Sequence, residues 1–321
     1  MTRLQNQLAA AFPSLEFKFD YPLADVTYFK LGGPAEVFVD VTTANQMLEL
    51  VQFCRHHAIT LRVIGGASNV IAPDEGLPGL TLRTSQAELT LLPQPLADGR
   101  RLVSVGVGYK TALFVRQTID QGLAGLEYFL GVPGRLGGAI YNNAHYLADL
   151  IGDHIYRVQV ITPDNQLIWL EHDECDFSYD HSRFQTSGEL LVQAEFALAT
   201  GDKAESMAKV IEATRYRAKT QPLGEPSSGC IFQNTPNTDH LRQLFPQFAE
   251  KQYVPGGFLI DQAGLKGARE GGIEVSQKHA AFFVNKGGGR AAEVEKLIEK
   301  VKNQVNQQFG VTLREEVFYL R

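Results

Sequence analysis

The feature that most constrains the fold is a glycine-rich stretch near the middle of the chain. Residues 131–138 read GVPGRLGG, so four glycines and one proline fall within eight residues. Glycine adopts positive φ without steric cost and lets another group come close to the backbone. The stretch therefore predicts a tight loop whose backbone N–H groups face an anion such as a pyrophosphate. A purely structural turn explains the same glycines equally well.

Two earlier stretches have a similar composition. Residues 27–34 read TYFKLGGP and residues 65–69 read GGASN, so each combines glycine with hydrogen-bonding side chains. No G-x-G-x-x-G follows a strand at the central loop, and the chain contains no G-x-x-x-x-G-K-[ST]. Three such loops in the first half of a chain indicate a large ligand wrapped by several loops, as an extended dinucleotide would be.

Length and charge narrow the class of protein. A chain of 321 residues predicts two or three domains. Acidic residues exceed basic ones, 36 against 30, and this excess argues against a general nucleic-acid binder. Cys54, Cys175 and Cys230 form neither a disulfide framework nor a C-x-x-C zinc pattern. With no signal-peptide core and no membrane-length apolar run, we expect a cytoplasmic monomer without membrane or nucleic-acid partners.

Hydrophobic periodicity predicts three segments. Residues 1–82 read as a β-α-β unit, with strands at 38–41 and 61–64 around a helix that Thr42 or Thr43 caps. Residues 83–199 are strand-rich and include a helix over 111–121. The rest contains helices over 204–219 and 291–309 and a closing strand over 311–320. The face predicted to be shared in the first of these two helices consists of Met207, Val210, Ile211 and Thr214.

One cysteine lies in a polar setting. Residues 226–234 read PSSGCIFQN, which places two hydroxyls and the Cys230 thiol around a glycine. A lone cysteine beside isoleucine and phenylalanine is most often a small buried hydrophobe. The functional alternative is a proton donor or nucleophile, because a thiol with a pKa of ~8.5 is protonated at neutral pH and more acidic than a hydroxyl. The histidines do not cluster, so no Cys-His or Ser-His-Asp order can be assembled.

Two further patterns admit a binding role. Lys266, Arg269, Lys278 and His279 concentrate positive charge between glycines, which suits either a solvated face or a pocket for a phosphorylated substrate. Glu315 and Glu316 are adjacent in the closing strand, and neighbouring residues of a strand point to opposite faces. One carboxylate can therefore face a cleft while the other is solvated, although in most such pairs both Glu315 and Glu316 would be solvated.

Taken in chain order, these segments resemble the UDP-N-acetylenolpyruvoylglucosamine reductase family, in its shorter type II form. The resemblance runs from Thr27 to Glu316, and the motifs are specific as an ordered set although each is weak alone. The motifs are YFKLGGPA at 28–35, GGASN at 65–69, GVPGxxGGA at 131–139 with NA at 143–144, SGCIFQN at 228–234, LIDQAGLKG at 259–267, VSxKH at 275–279 and LxxEV at 313–317.

The resemblance implies an α+β fold with bound FAD. An FAD-binding module of the vanillyl-alcohol-oxidase type, made of two α/β subdomains, precedes a C-terminal α+β substrate domain. The implied boundaries are 1–82 for the first subdomain, 83–199 joined by the strand 311–321 for the second, and 200–310 for the substrate domain. The residues implied to hold FAD are Tyr28, Gly65, Gly66, Ala67, Ser68, Asn69, Gly131, Pro133, Gly134, Gly137, Gly138 and Asn143.

The resemblance also implies a reaction. NADPH reduces the flavin and leaves, after which the enolpyruvyl sugar nucleotide accepts a hydride at C3 and a proton at C2. This reaction makes UDP-N-acetylmuramate for peptidoglycan precursor synthesis. Cys230 stands where most members have a serine proton donor, and Glu316 matches the catalytic glutamate. The residues implied to bind the substrate are Asn234, Lys251, Tyr253, Lys266 and His279.

One position departs from the family pattern. The family has Tyr-Arg-x-Ser where residues 179–182 read YDHS, so Asp180 occupies the place of the catalytic arginine. We predict that Arg183 supplies the missing charge, with Arg135 and Arg217 as alternatives. Because a carboxylate beside substrate anions is repulsive, Asp180 must be turned away or neutralised.

Two other functions stay open at this point. The first is an FAD oxidase of the same fold that acts on another alcohol or sugar, although such an enzyme needs no pocket like that of Lys266 and His279. The second is a non-enzymatic member that retains the flavin fold, and Asp180 is the residue that favours it.

Overall fold

The computed structural model describes residues 1–146 and 149–321. The helices in these ranges are α1 (Arg3–Ala11), α2 (Ala44–His56), α3 (Thr111–Asp120), α4 (Leu136–Tyr141), α5 (Lys203–Thr220), α6 (Asp239–Leu244), α7 (Gly256–Gln262) and α8 (Ala291–Phe309). Short 3-10 helices lie at Leu23–Asp25, Glu127–Gly131, Ile151–His154, His172–Glu174, Arg183–Gln185 and Pro246–Phe248. None of the described helices is both long enough and apolar enough to cross a membrane.

The strands follow in chain order. They are β1 (Phe17–Pro22), β2 (Pro34–Val41), β3 (Leu61–Ile64), β4 (Val70–Ile71), β5 (Leu77–Thr84), β6 (Leu89–Pro95), β7 (Arg101–Gly106), β8 (Leu123–Ala124), β9 (His145–Tyr146), β10 (Asp149–Leu150), β11 (Ile155–Ile161), β12 (Leu167–Glu171), β13 (Leu190–Thr200), β14 (Thr235–Pro236), β15 (Tyr253–Val254), β16 (Arg269–Glu270), β17 (Ile273–Val275), β18 (Phe283–Asn285) and β19 (Phe318–Tyr319).

The chain forms two compact units, each made of more than one segment. The first unit consists of Met1–Tyr21, Ala35–Gly66 and Pro78–Tyr216. The second unit consists of Pro22–Pro34, Ala67–Leu77 and Arg217–Arg321. The two segments Pro22–Pro34 and Ala67–Leu77 therefore leave the N-terminal part of the chain and fold with its C-terminal third.

The first unit contains a four-stranded sheet in the order β1-β2-β5-β3, with β3 parallel to β5. Helix α2 begins where the sequence predicted, because the Thr43 hydroxyl accepts a hydrogen bond from the Gln46 N–H at 3.2 Å. Its residues Met47, Val51 and Cys54 recur at helical spacing and are fully buried. They pack with Leu8 of α1 and the strands into one apolar cluster.

The same unit contains a larger sheet in the order β12-β11-β13-β7-β6, with β8 attached to β13. Strand β13 lies at its centre and pairs antiparallel with β11 and β7. Phe114 of α3 packs on Phe196 of β13 with ring centroids 4.9 Å apart, so the helix covers one face of the sheet. The sheet therefore provides a rigid base for the loops that follow β7 and α3.

The second unit is organised around α8. Val294, Leu297, Val301 and Val305 form its apolar stripe and are fully buried. The helix ends at Gly310, whose φ of 65° is the left-handed conformation that glycine adopts at low cost. The antiparallel strands β16, β17 and β18 and the pair β14–β15 complete the unit.

The structure corrects the predicted face of α5. The buried residues are Ser206, Val210 and Ala213, while Ile211 is 46% exposed. Ser206 lies inside because its hydroxyl donates to the Glu127 carboxylate at 2.7 Å, and that carboxylate is itself buried. Because one of the buried positions is a serine, the buried face of α5 lies about one residue away from the face that the apolar residues alone indicate.

The end of the chain also differs from the prediction. Only β19 is a strand within the predicted 311–320, and it pairs in parallel with β4 rather than with a strand of 83–199. Val311, Leu313 and Val317 are buried in the core of the second unit, and their burial holds the end of the chain there. The chain thus divides into two units where the sequence predicted three domains.

A core truncation tests the role of α8. Leu297→Ala removes a fully buried side chain and should lower the free energy of unfolding by about 2–5 kcal/mol. Urea unfolding followed by far-UV circular dichroism measures the change. The control is Lys296→Ala at the neighbouring exposed position, expected to change the free energy by no more than about 0.5 kcal/mol. Equal midpoints for both variants would contradict this role of α8.

Candidate active site

The glycine-rich loop is held at the end of β7. The Leu136 N–H donates to the Tyr109 carbonyl at 2.9 Å, and the Gly137 N–H donates to the Val107 carbonyl at 2.7 Å. Gly134 has a φ of 100°, a conformation that a side chain would strain. Loop and α4 are therefore fixed by backbone hydrogen bonds to the segment that follows β7.

The loop over residues 65–66 touches this glycine-rich loop inside the first unit. A β-carbon built at Gly66 would lie 2.4 Å from the Gly134 Cα, so a side chain at Gly66 has no room. A β-carbon at Gly65 would lie 3.4 Å from the Gly138 backbone nitrogen. At Gly138 a built β-carbon meets no atom within 4 Å, so open space lies beside that residue.

The Asn143 side chain holds backbone groups near the glycine-rich loop. It is fully buried, its side-chain N–H donates to the Ser178 carbonyl at 2.8 Å, and its side-chain carbonyl accepts the Gly152 N–H at 2.9 Å. Both ends of the amide therefore hold backbone groups of the protein. Gly131 and Pro133, also predicted to hold the cofactor, lie at the start of the loop.

The remaining predicted cofactor residues lie in the second unit. The Tyr28 N–H donates to the Ala67 carbonyl at 3.1 Å, which brings the first and second loops together there. Ala67 has a φ of 51° and Ser68 follows it, so the backbone turns sharply at this point. The Asn69 side-chain N–H donates to the Glu316 carbonyl at 3.0 Å and ties the second loop to a predicted catalytic residue.

Cys230 and Glu316 lie on neighbouring extended segments of the second unit. The Ile231 N–H donates to the Ala281 carbonyl and the Ile231 carbonyl accepts the Glu316 N–H, both at 2.8 Å. Cys230 also forms an isolated antiparallel bridge with Phe282. The predicted proton donor and the predicted catalytic carboxylate are thus placed by one residue, Ile231.

The other two cysteines differ from Cys230 in exposure. Cys54 and Cys175 are fully buried free thiols, whereas Cys230 is partly exposed. Burial raises the pKa of the Cys54 thiol to about 11 and that of Cys175 to about 12. Both buried thiols remain protonated and inert at neutral pH, which leaves Cys230 as the thiol within reach of a ligand.

The structure corrects the expectation that Glu315 is solvated. Its carboxylate forms an ion pair with Lys302 and accepts the Tyr319 hydroxyl at 2.5 Å. Burial and the hydrogen bond to Glu315 raise the pKa of the Tyr319 hydroxyl. Because adjacent residues of an extended segment point to opposite faces, this network directs Glu316 away from Lys302.

Lys266 and His279 are electrostatically coupled in the second unit. Lys266 pairs with Asp261 at 2.6 Å. Burial and the charge of Lys266 lower the pKa of the His279 ring. The Nδ1 atom of His279 accepts the Ala281 N–H at 3.3 Å, so the neutral ring carries its hydrogen on Nε2. This ring is therefore a hydrogen-bond donor.

The other predicted substrate residues cluster around the pair β14–β15. Asn234 precedes β14, and Tyr253 in β15 pairs with Pro236. The Lys251 backbone carbonyl accepts the Asn237 side-chain N–H at 2.9 Å, which fixes the approach to β15. The Tyr253 side chain is 42% exposed and accessible to a ligand.

The Arg183 guanidinium forms its ion pair and hydrogen bonds within the first unit. Its guanidinium makes a two-pronged ion pair with Glu189, at 3.0 and 2.9 Å, and donates to the Glu174 carbonyl at 2.8 Å. The alternative Arg135 donates to the Gly108 carbonyl. These contacts give both arginines structural partners, and the catalytic role of Arg183 stays a prediction.

Asp180, which the sequence analysis expects to be turned away or neutralised, is buried beside an unexpected residue. Its side chain is 1% exposed and lies 3.1 Å from the Nδ1 atom of His145. Sequence reasoning missed His145 because no motif links it to Asp180, 35 positions along the chain. The sequence feature that could have pointed to His145 is its position just after the glycine-rich loop and the pair Asn142–Asn143.

Comparison with known proteins first defines the class. A family model described as "FAD binding domain" matches residues 35–171. The chain is accordingly an FAD-binding oxidoreductase with a second α+β domain, as the sequence predicted. A second family model, the C-terminal domain of UDP-N-acetylenolpyruvoylglucosamine reductase, matches residues 221–320.

Curated relatives then define the family. The UDP-N-acetylenolpyruvoylglucosamine reductase of Halalkalibacterium halodurans is 34% identical over 94% of this chain and 93% of its own. That of Limosilactobacillus reuteri is 34% identical over 99% and 98%. The solved structure of the Thermus caldophilus enzyme covers 96% of this chain and 99% of its own, with 28% identity and a TM-score of 0.75. This chain belongs to the UDP-N-acetylenolpyruvoylglucosamine reductase family.

The glycine loops of the first unit fit the cofactor of this family. A flavin diphosphate needs backbone N–H groups free of side chains, and the contact between Gly66 and Gly134 excludes side chains there. The open space at Gly138 leaves room for a ligand beside α4. When bound, FAD supplies hydride transfer, while the protein supplies binding and orientation.

Adding a methyl group at Gly138 tests whether FAD lies beside this residue. Gly138→Ala should leave the apoprotein folded, because the methyl group points into open space and alanine favours helix α4. The methyl group should weaken FAD binding roughly 10- to 100-fold by crowding the ligand. Flavin fluorescence titration of the apoprotein measures the affinity.

Gly66→Ala is the contrasting variant. Its β-carbon would meet the Gly134 backbone, so the thermal midpoint of the apoprotein should fall. If Gly138→Ala binds FAD as tightly as the unmodified chain, the cofactor does not lie beside Gly138.

Proposed function

We propose that this chain reduces the enolpyruvyl group of UDP-N-acetylenolpyruvoylglucosamine to give UDP-N-acetylmuramate, with NADPH as the electron source. The observation that carries the proposal is the placement of Cys230 and Glu316 on adjacent segments, both tied to Ile231. An acid and a carboxylate so placed suit a reaction that delivers a hydride to C3 and a proton to C2.

Cys230 is the proton donor of the proposed reaction. Its thiol is partly exposed, whereas the other two cysteines are buried. Gly229 precedes it with a φ of 81°, and Cys230 itself forms the bridge to Phe282, so the backbone at Cys230 is fixed. A thiol transfers a proton more readily than a hydroxyl, so cysteine can serve in place of the family's serine.

Glu316 is the carboxylate that acts on the reacting end of the substrate. Its N–H donates to Ile231 and its carbonyl accepts the Asn69 side chain, so its backbone is anchored on both sides. Such anchoring keeps a catalytic group in position without further reorganisation. A catalytic role for the Arg183 guanidinium is part of the proposal, and it requires Arg183 to release Glu189.

Lys266 and His279 bind the nucleotide diphosphate. Lys266 contributes a positive charge, and the Nε2–H of the neutral His279 ring donates to a phosphate oxygen. Asn234, Lys251 and Tyr253 line the same proposed pocket. We further propose a cytoplasmic location for the enzyme, which its three free cysteines support.

An FAD oxidase of the same fold is the alternative function. The proposed reductase and the oxidase differ in the compound that reoxidises the flavin. For the proposed reductase, anaerobic stopped-flow absorbance near 450 nm should show bleaching by NADPH and recovery on adding UDP-N-acetylenolpyruvoylglucosamine. UDP-N-acetylglucosamine, which lacks the enolpyruvyl group, is the control and should give no recovery. Failure of the enolpyruvyl substrate to restore the absorbance, together with bleaching of the flavin by an alcohol or sugar, would instead identify an oxidase.

Removal of the thiol tests the proton donor. Cys230→Ala should leave flavin reduction by NADPH unchanged and slow reoxidation by the enolpyruvyl substrate about 10²- to 10⁴-fold, the contribution of a general acid. Cys230→Ser retains a donor and should recover part of the rate. Both half-reactions are followed by flavin absorbance. Normal rates of both half-reactions in Cys230→Ala would show that Cys230 contributes only to packing.

A further inference from the structure

The carboxylate of Glu315 is bound at both of its oxygen atoms, by two different elements of the second unit. One oxygen forms an ion pair with Lys302 of α8, and the other accepts the Tyr319 hydroxyl of β19 at 2.5 Å. The Lys302 and Glu315 side chains are 25% and 21% exposed, so water screens this pair less than a pair at the surface. The proposed function gives these three residues no task, although Glu315 directly precedes Glu316.

The backbone of Glu315 lies in the middle of a short antiparallel pairing. Glu315 forms an isolated bridge with Phe232. The N–H of the next residue, Glu316, donates to the Ile231 carbonyl at 2.8 Å, and the carbonyl of the preceding Arg314 accepts an N–H from the same segment at 3.0 Å. This pairing joins the proposed catalytic carboxylate to the segment that contains the proposed proton donor.

The chain that follows Glu316 is held separately, through β19. Tyr319 pairs in parallel with Ile71 of β4. The hydroxyl of the same tyrosine donates to Glu315, four residues earlier, so this side-chain hydrogen bond spans Glu316 and closes a short loop of chain around it. Because a closed loop has fewer backbone conformations than an open one, the bond from Tyr319 restricts the positions that Glu316 can take.

The cation of the network belongs to a helix that the core holds in place. Val301 and Val305 of α8 are fully buried, so packing fixes the helix backbone at Lys302. Burial lowers the pKa of the Lys302 ammonium, but the hydrogen bond and the charge of Glu315 raise it by more, so Lys302 stays charged at neutral pH. Glu315 therefore connects the segment of Glu316 to a cation on a rigid element.

We propose that Glu315 is a positioning residue, which together with Lys302 and Tyr319 holds Glu316 in the geometry that substrate reduction requires. The inference rests on the proposed function for the catalytic role of Glu316. A displacement of about 1 Å is enough to slow a catalysed step roughly 100-fold, so loss of the network should affect the reaction even where the fold survives. Both Glu315 oxygens have protein partners, and Glu315 acts through Glu316 without contacting the substrate.

The test follows both half-reactions of the flavin-loaded enzyme by anaerobic stopped-flow flavin absorbance. Tyr319→Phe deletes one oxygen atom, and Glu315→Ala deletes both contacts of the carboxylate. The limiting rate of reoxidation by UDP-N-acetylenolpyruvoylglucosamine should fall roughly 10-fold in Tyr319→Phe and roughly 100-fold in Glu315→Ala. Flavin reduction by NADPH, and the substrate concentration that gives half of the limiting reoxidation rate, should each change by less than about twofold.

Two further variants serve as controls. Glu315→Gln retains an oxygen that accepts a hydrogen bond, so it should recover part of the rate that Glu315→Ala loses. Glu299→Gln is the matched control, because Glu299 is the other carboxylate beside Lys302, at 3.3 Å, and its side chain is 65% exposed. An exposed pair contributes little, so this variant should leave both half-reactions unchanged.

The positioning role is overturned if reoxidation keeps its normal rate in Tyr319→Phe and Glu315→Ala, or if both half-reactions slow equally, as general loss of structure would produce. Should Glu315→Ala fail to fold, Tyr319→Phe decides the question, because it removes one oxygen and leaves the ring in place. Normal reoxidation in Glu316→Gln, or no reoxidation in the unmodified enzyme, would show that the proposed function is wrong before the network is considered.

Discussion

The proposed chemistry of the second unit depends on the backbone of one residue, Ile231. Its N–H and carbonyl groups bond in opposite directions, to Ala281 and to Glu316. Because these are backbone bonds, they fix the separation of the neighbouring segments independently of side-chain packing. The backbones of Cys230 and Glu316 are therefore held in place by extended-chain geometry, and the Asn69 side chain adds the second loop to the same framework.

The parts that could be predicted from sequence are those specified by local pattern. Helix α8 has an uninterrupted apolar stripe and ends at Gly310, so its predicted bounds agree with the structure. The start of helix α2 could be predicted in the same way, from the Thr43 cap. The ordered glycine motifs identified the family, and both family models and relatives confirm it. The roles of individual site residues rest on motif position alone and stay predictions.

The parts that could not be predicted depend on side-chain contacts that no local sequence pattern specifies. Ser206 turns inward because Glu127 lies there, 79 positions away, and Glu315 is enclosed because Lys302 and Tyr319 surround it. Arg183 was predicted to supply the charge missing at Asp180, and the structure pairs it with Glu189. The pairing of His145 with Asp180 follows the same rule. A single sequence shows which charges exist, whereas only the fold shows which of them neutralise one another.

The segmented composition of the second unit has a consequence for synthesis of the protein. Its core joins Phe29, Leu31 and Ile71 to residues beyond 230, all of them buried. During translation these early apolar side chains emerge from the ribosome well before their partners exist, and they stay without a core until the last hundred or so residues follow. The core of the second unit can thus form only after the residues beyond 230 have been synthesised, and a chain stopped before them would expose an apolar surface to chaperones and proteases.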